Sequence, residues 1–117
     1  MMTLYETKQQ ISADPDHWRI HLMNFVDDFR YYRAESALTK PFSLTNPQMD
    51  ALLASTVEYL CHELELDSPQ WVREIPASPE PWFVSGMESL KAITLVETPV
   101  WFRMRKVFVL ANFLSRA

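Results

Sequence analysis

The chain has 117 residues, 48% apolar and 22% charged, which is the size and balance of one globular domain. Its net charge is −4, with a single glycine where about eight would be ordinary usage, and a single cysteine. The lone Gly86 excludes glycine-rich dinucleotide and phosphate loops and a GxSxG nucleophile elbow, and the lone Cys61 excludes an internal disulfide and any multi-cysteine metal or iron–sulfur site.

Prolines set the reading frame for the elements. Asp14-Pro15, Asn46-Pro47, Ser68-Pro69 and Thr98-Pro99 each place proline behind a good N-cap residue. Proline suits the first helical position because its missing N–H would have no intrahelical partner there. Thr3-x-x-Glu6 and Ser85-x-x-Glu88 add two capping boxes. A short, weakly apolar helix is therefore expected over 3–11. It is followed by a long one over 15–36, whose Trp18, Leu22, Phe25, Val26, Phe29 and Tyr32 form one apolar stripe. Residues 40–46 read as a loop. A third helix over 47–65 carries Met49, Leu52, Leu53, Tyr59, Leu60 and Leu64, and a helical turn with Trp71 and Val72 follows Pro69.

Residues 74–84 hold Pro76, Pro79 and Pro81, which bar a regular helix or a central strand and predict a crossing loop pinned by Trp82 and Phe83. The segment 86–97 is apolar nearly all round, which predicts a helix at the centre of the packing. Pro99 starts a shorter helix. Residues 106–110 favour an extended form, but no partner strand is evident, so an irregular segment is expected rather than a sheet. Phe113 and Leu114 close the chain as a turn. The fold expected is all-α: one compact helical domain over residues 1–117, of four to five helices with a proline-rich crossing and a short extended C-terminal segment.

No stretch approaches the roughly 18 apolar residues of a membrane span, and Met1–Ile11 lacks the apolar core of a signal peptide. With one unpaired cysteine, a cytoplasmic protein is expected. Charge is uneven: residues 1–97 hold all 15 acids and 7 bases, whereas 98–117 hold no acid and four bases, Arg103, Arg105, Lys106 and Arg116. Such asymmetry marks a contact with an acidic partner or nucleic acid, or simply cations gathered at a helix C-terminus.

Candidate chemistry is sparse. His17 and His21 are spaced i, i+4, the geometry of a two-histidine metal site, but no HExxH glutamate accompanies them and His62 lies on another helix. They read as a polar flank, and no metal or cofactor is expected. Cys61 and His62 are adjacent on a helix and point about 100° apart, so Cys61 reads as a buried small hydrophobe. Asp27-Asp28 and the run Glu63, Glu65, Asp67 read as solvated faces, since helix neighbours diverge rather than converge on a cleft. No catalytic constellation emerges, so an enzyme is not expected. The C-terminal aromatics interleave with cations, which suits either a protein interface or base stacking on single-stranded nucleic acid.

Six blocks of the C-terminal region carry a resemblance. They are Pro81-Trp82-Phe83, Ser89-Leu90-Lys91-Ala92, Leu95-Val96-Glu97-Thr98-Pro99, Phe102-Arg103-x-Arg105, Val107-Phe108-Val109 and Phe113-Leu114-Ser115-Arg116-Ala117. From Leu44 to the end the chain resembles a small bacterial all-α family of antitoxin-like proteins encoded beside nucleotidyltransferase-like partners. The resemblance implies a non-catalytic protein–protein interaction module and brings no catalytic residues. Lys106 departs from it, standing where relatives have Asn or Gly, which puts a tight backbone turn after Arg105 in question. The partner contacts expected are Trp101, Arg103, Arg105, Lys106 and Phe108. The alternative is a nucleic-acid-binding accessory domain using the same segment.

Overall fold

In a computed structural model that describes residues 1–115, the first helix starts where its capping box puts it. The Thr3 hydroxyl accepts the Glu6 N–H at 3.1 Å and the Glu6 carboxylate accepts the Thr3 N–H at 3.3 Å, which satisfies two donors that the first turn leaves free. Helix α1 runs Leu4–Ala13. Pro15 then starts a single 3-10 turn, Pro15–His17, ahead of α2, Trp18–Tyr32. Asp14 does not cap it with its side chain, because its carboxylate is taken by two histidines described below. The apolar stripe of α2 is buried at Leu22, Phe25, Val26 and Phe29. The helix ends four residues before the expected 36, where Arg33 turns left-handed at φ 50° and its N–H returns to Phe29 O at 2.8 Å. A second 3-10 turn covers Glu35–Leu38.

Asn46 and Pro47 open α3, Pro47–Glu63, with the Asn46 side chain accepting the Met49 N–H at 3.2 Å. This helix, not 86–97, is the centre of the packing: every residue from Met49 to Val57 is buried. Ala51, Ala54 and Ser55 keep it slim enough for neighbours on all sides. Its buried Asp50 pairs with the equally buried Lys8 and accepts the N–H groups of Thr45 at 3.1 Å and Asn46 at 3.2 Å, while Lys8 Nζ also donates to Ser43 O at 3.1 Å. One ion pair thus ties α1 and the 40–46 loop to the start of α3. At the other end of α3, Arg30 of α2 forks onto Glu63 at 2.8 and 2.9 Å and reaches Leu114 O at 2.6 Å.

Helix α4, Gln70–Arg73, is a single turn. Its Trp71 is pinned by a bond from Nε1 to Leu38 O at 2.9 Å and sits edge-on to Phe42. The proline-rich crossing is pinned too, but through its backbone. Strand β1, Trp82–Phe83, lies parallel to β2, Val107–Phe108, with Trp82 opposite Val107 and Phe83 opposite Phe108. A small sheet therefore replaces the irregular segment expected at 106–110. Its partner strand begins directly behind Pro81, the position where proline is compatible with a strand. Between the strands, a 3-10 turn at Glu88–Leu90 leads into α5, Lys91–Glu97, and α6 follows at Val100–Arg103. Ser85 does not close its capping box; its hydroxyl instead accepts the Met87 N–H at 3.4 Å. The result is a mainly helical domain of six α-helices among the described residues, three of them only one or two turns long. Its Cα radius of gyration is 13.3 Å, close to the roughly 13 Å of a compact chain this long.

Candidate functional site

Helix α5 is inverted relative to an ordinary surface helix, which buries its apolar side chains. Its buried residues are polar: Thr94 is 1% exposed, and Thr98, one residue beyond the helix, is 3% exposed. Ile93, Leu95 and Val96 face outward, Val96 at 79% exposure. At 100° per residue, Ala92, Ile93, Leu95 and Val96 share an arc roughly 160° wide centred opposite Thr94. Beyond the helix break at Pro99, Val100 and Met104 stand one turn apart and are also exposed, Met104 at 69%.

The inward attachments of this segment are hydrogen bonds. The Thr94 hydroxyl donates to its own helix, at 3.0 Å from Leu90 O and 2.9 Å from Lys91 O. Thr98 Oγ1 lies between Thr94 O and Val109 O, 3.1 Å from the latter, and accepts the Val109 N–H at 3.2 Å. Glu97 accepts the Ala111 N–H at 3.0 Å. Arg103 Nη2 spans the open carbonyls at the end of α5, 2.9 Å from Thr98 O, 3.3 Å from Leu95 O and 3.4 Å from Val96 O. A cation there also suits the helix dipole. Arg103 of α6 thus closes the C-terminal end of α5.

The five expected contact residues separate on this frame. Arg103 and Lys106 are exposed. Arg105 is not a wet cation: it is 6% exposed, paired with Glu58 at 2.5 Å, and donates to Ile75 O at 3.1 Å and Val72 O at 3.0 Å. Trp101 is half-buried, 4.5 Å from the His62 ring and edge-on to Tyr59 at 5.8 Å. Phe108 is half-buried in β2, stacked on Phe83 at 4.9 Å. Arg116 lies outside the described residues. The tight turn after Arg105 is made despite the departure from the resembled family. Lys106 adopts φ 60° and its N–H reaches Arg103 O at 3.0 Å.

His17 and His21 converge on one carboxylate rather than on a ligand site. His17 Nδ1 is 2.9 Å from Asp14 Oδ1 and His21 Nε2 is 3.1 Å from Asp14 Oδ2. Hydrogen bonds from His17 and then His21 hold the Asp14 carboxyl below its usual value of 3.8. Among the described residues, no three His, Cys, Asp or Glu side chains are grouped to hold a metal ion. Cys61 is buried, and desolvation first, with the charge of Glu35, Glu58 and Asp67 after it, pushes its thiol up to about 11. Asp28 accepts the Met2 N–H at 2.8 Å, and Glu63 is held by Arg30. The largest of the hollows described, about 460 Å³, lies between α1 and the 40–46 loop, where Lys8 is committed to Asp50. No helix among the described residues is long and apolar enough to cross a membrane.

Compared with protein-family models, curated proteins and solved structures, the chain finds no match in any of the three. Of the five expected contact residues Arg103 and Lys106 are exposed, and the large aliphatic residues exposed in the same segment, Ile93, Leu95, Val96, Val100 and Met104, are ones that the sequence reading passed over. Thr94 and Thr98 were the available signal. Spaced i, i+4 in an apolar run, they offer one narrow polar face, on which Thr94 bonds back to its own helix and Thr98 bonds across to Val109.

Proposed function

We propose that this chain is a non-catalytic interaction module that binds a partner protein through the outward apolar face of α5 and α6. The observation that carries the reading is the inversion of α5, which buries Thr94 and shows Ile93, Leu95 and Val96. An apolar patch exposed by arrangement, rather than by single scattered residues, is the mark of an interaction site. Arg103 and Lys106 border it as polar contacts. Arg105, Trp101 and Phe108 act indirectly, by holding the segment in place. The resemblance to antitoxin-like proteins supplies the kind of partner, a nucleotidyltransferase-like protein encoded beside this one. Nucleic acid is the weaker fit, because Arg105 is paired with Glu58, the Phe108 ring is stacked on Phe83 and the Trp101 ring packs against His62 and Tyr59.

The test is co-expression with the protein encoded beside it, followed by affinity capture on a tag on this chain. A complex that survives with wild type and is lost in Val96→Glu/Val100→Glu supports the proposal. Both positions are exposed, so the variant should fold normally, which circular dichroism checks. No complex with wild type, or equal capture by the variant, refutes it.

A further inference from the structure

We infer that the occupant of the α5–α6 face is an amphipathic helix of the partner, apolar along its seam and acidic on its flank; this rests on the docking role proposed above. The charge of the segment is the first argument. Residues 98–117 contain no acid. Of the described cations there, Arg105 is paired inside with Glu58, whereas Arg103 and Lys106 are exposed with no carboxylate beside them among the described residues. Of the acids nearest in sequence, Glu88 is balanced by Lys91 at 3.0 Å, and Glu97 is half-buried and turned to the Ala111 N–H. The exposed charge on the described part of residues 98–117 is therefore positive, although the chain as a whole is at −4. An acidic flank complements it locally and would be repelled by the rest of the surface, so complementarity here selects for position.

Shape is the second argument. The exposed side chains come from two helical segments and are aliphatic: Ile93, Leu95, Val96, Val100 and Met104. Such residues form the ridges against which another helix packs, through its own i, i+3, i+4, i+7 anchors. A membrane surface is disfavoured by the same inventory. Interfacial anchors expose tryptophan or phenylalanine beside the cations, and here Trp101 and Phe102 turn inward onto Tyr59.

The experiment uses the full chain and two fluorescein-labelled amphipathic peptides of about five turns, roughly 18 residues, with one leucine seam in common. One is flanked by glutamates, the other by lysines. Fluorescence anisotropy is expected to show binding of the glutamate peptide and at least tenfold weaker binding of the lysine peptide, against the trend set by overall charge. Affinity for the glutamate peptide should fall several-fold between low and high salt. It should drop at least tenfold in Val96→Glu/Val100→Glu and several-fold in Lys106→Glu, whose ammonium bonds no other group among the described residues. Equal or better binding of the lysine peptide overturns the acidic assignment, and failure of both peptides overturns the helical one, even where the partner complex above is intact. Val96-dependent binding to anionic lipid vesicles or to a single-stranded oligonucleotide, or Val96-dependent dimerisation in sedimentation, without peptide selectivity, would replace this occupant by a membrane, a nucleic acid or a second copy. Absence of any partner complex, by contrast, removes the docking role itself.

Discussion

Arg105 gives the sharpest test of how the C-terminal segment is held. Replacing it by alanine removes a guanidinium that is 6% exposed, bonded to Glu58, Ile75 O and Val72 O. The Val72 carbonyl keeps a second donor, the Ile75 N–H at 3.1 Å, but the Ile75 carbonyl has no other donor described. Glu58 is left as a mostly buried carboxylate without its cation. Breaking a buried pair from one side costs about 3–5 kcal/mol, a large share of the roughly 5–15 kcal/mol of an ordinary domain. At about 3–5 °C per kcal/mol for a chain of this length, the melting temperature should fall by roughly 10–20 °C.

Glu58→Leu/Arg105→Met separates the charge effect from the lost packing. With both charges gone, the remaining loss is the stranded Ile75 carbonyl, about 1–3 kcal/mol. The double variant should then be more stable than Arg105→Ala. Urea unfolding followed by tryptophan fluorescence and by circular dichroism measures both. A loss under about 1 kcal/mol for Arg105→Ala, the cost of an ordinary surface change, would refute the account. So would a double variant no better than the single.

Four further outcomes follow from individual sites. Ser55 is fully buried and its hydroxyl has no partner among the described residues, so Ser55→Ala should be neutral or stabilise by up to about 1 kcal/mol in thermal melts; a loss above that would show that the hydroxyl is bonded. Lys106 holds φ 60°, a left-handed conformation that costs a side chain about 1–2 kcal/mol, so Lys106→Gly should give a net gain of about 0.5–1 kcal/mol after glycine's greater unfolded-state entropy. Cys61, raised from 9.0 to about 11, keeps its proton in the folded state after the unfolded thiol has lost one, so its contribution to stability should fall as pH rises from about 9 to about 11; Cys61→Ala should flatten that slope. Asp14, held below 3.8 by the two histidines, contributes fully above that pH and loses its contribution as pH falls through the lowered folded value. Carboxyl NMR should show its midpoint moving up toward 3.8 in His17→Ala/His21→Ala.

Local rules carried the start of the chain. The Thr3 box, the Asn46 cap and the Leu22–Phe29 stripe all act within a few residues, and each lies where the sequence places it. What failed were comparisons between distant segments. Residues 86–97 and 47–63 both read as apolar helices, and only one can occupy the centre. The small side chains of Ala51, Ala54 and Ser55 decide for α3, but only once its neighbours are known to close in on every side. The pairing of Trp82 with Val107 was illegible for the same reason, since two-residue strands 25 positions apart leave no periodic trace. Tail cations looked alike in sequence. What distinguishes Arg105 is Glu58, 47 residues earlier, whereas Arg103 meets carbonyls a turn or two away.

These points together explain how an apolar helix can face outward in a small domain. A helix that shows its apolar side chains forgoes the burial that normally holds it, about 1.5–3 kcal/mol for each large side chain, and another attachment must replace it. Thr98 locks the end of α5 to Val109, Glu97 takes the Ala111 N–H, and Arg103 closes the C-terminal carbonyls. Arg105, two residues on, roots the adjoining strand between Glu58 and the carbonyls of Val72 and Ile75. Each bond uses a polar group on the inner side or at an end, so none draws on the side chains of Ile93, Leu95 or Val96, and Arg103 takes only the backbone carbonyls of the last two. The polar anchoring and the outward apolar face are therefore one arrangement. A surface held this way is already ordered before anything docks on it, which lowers the conformational cost of association.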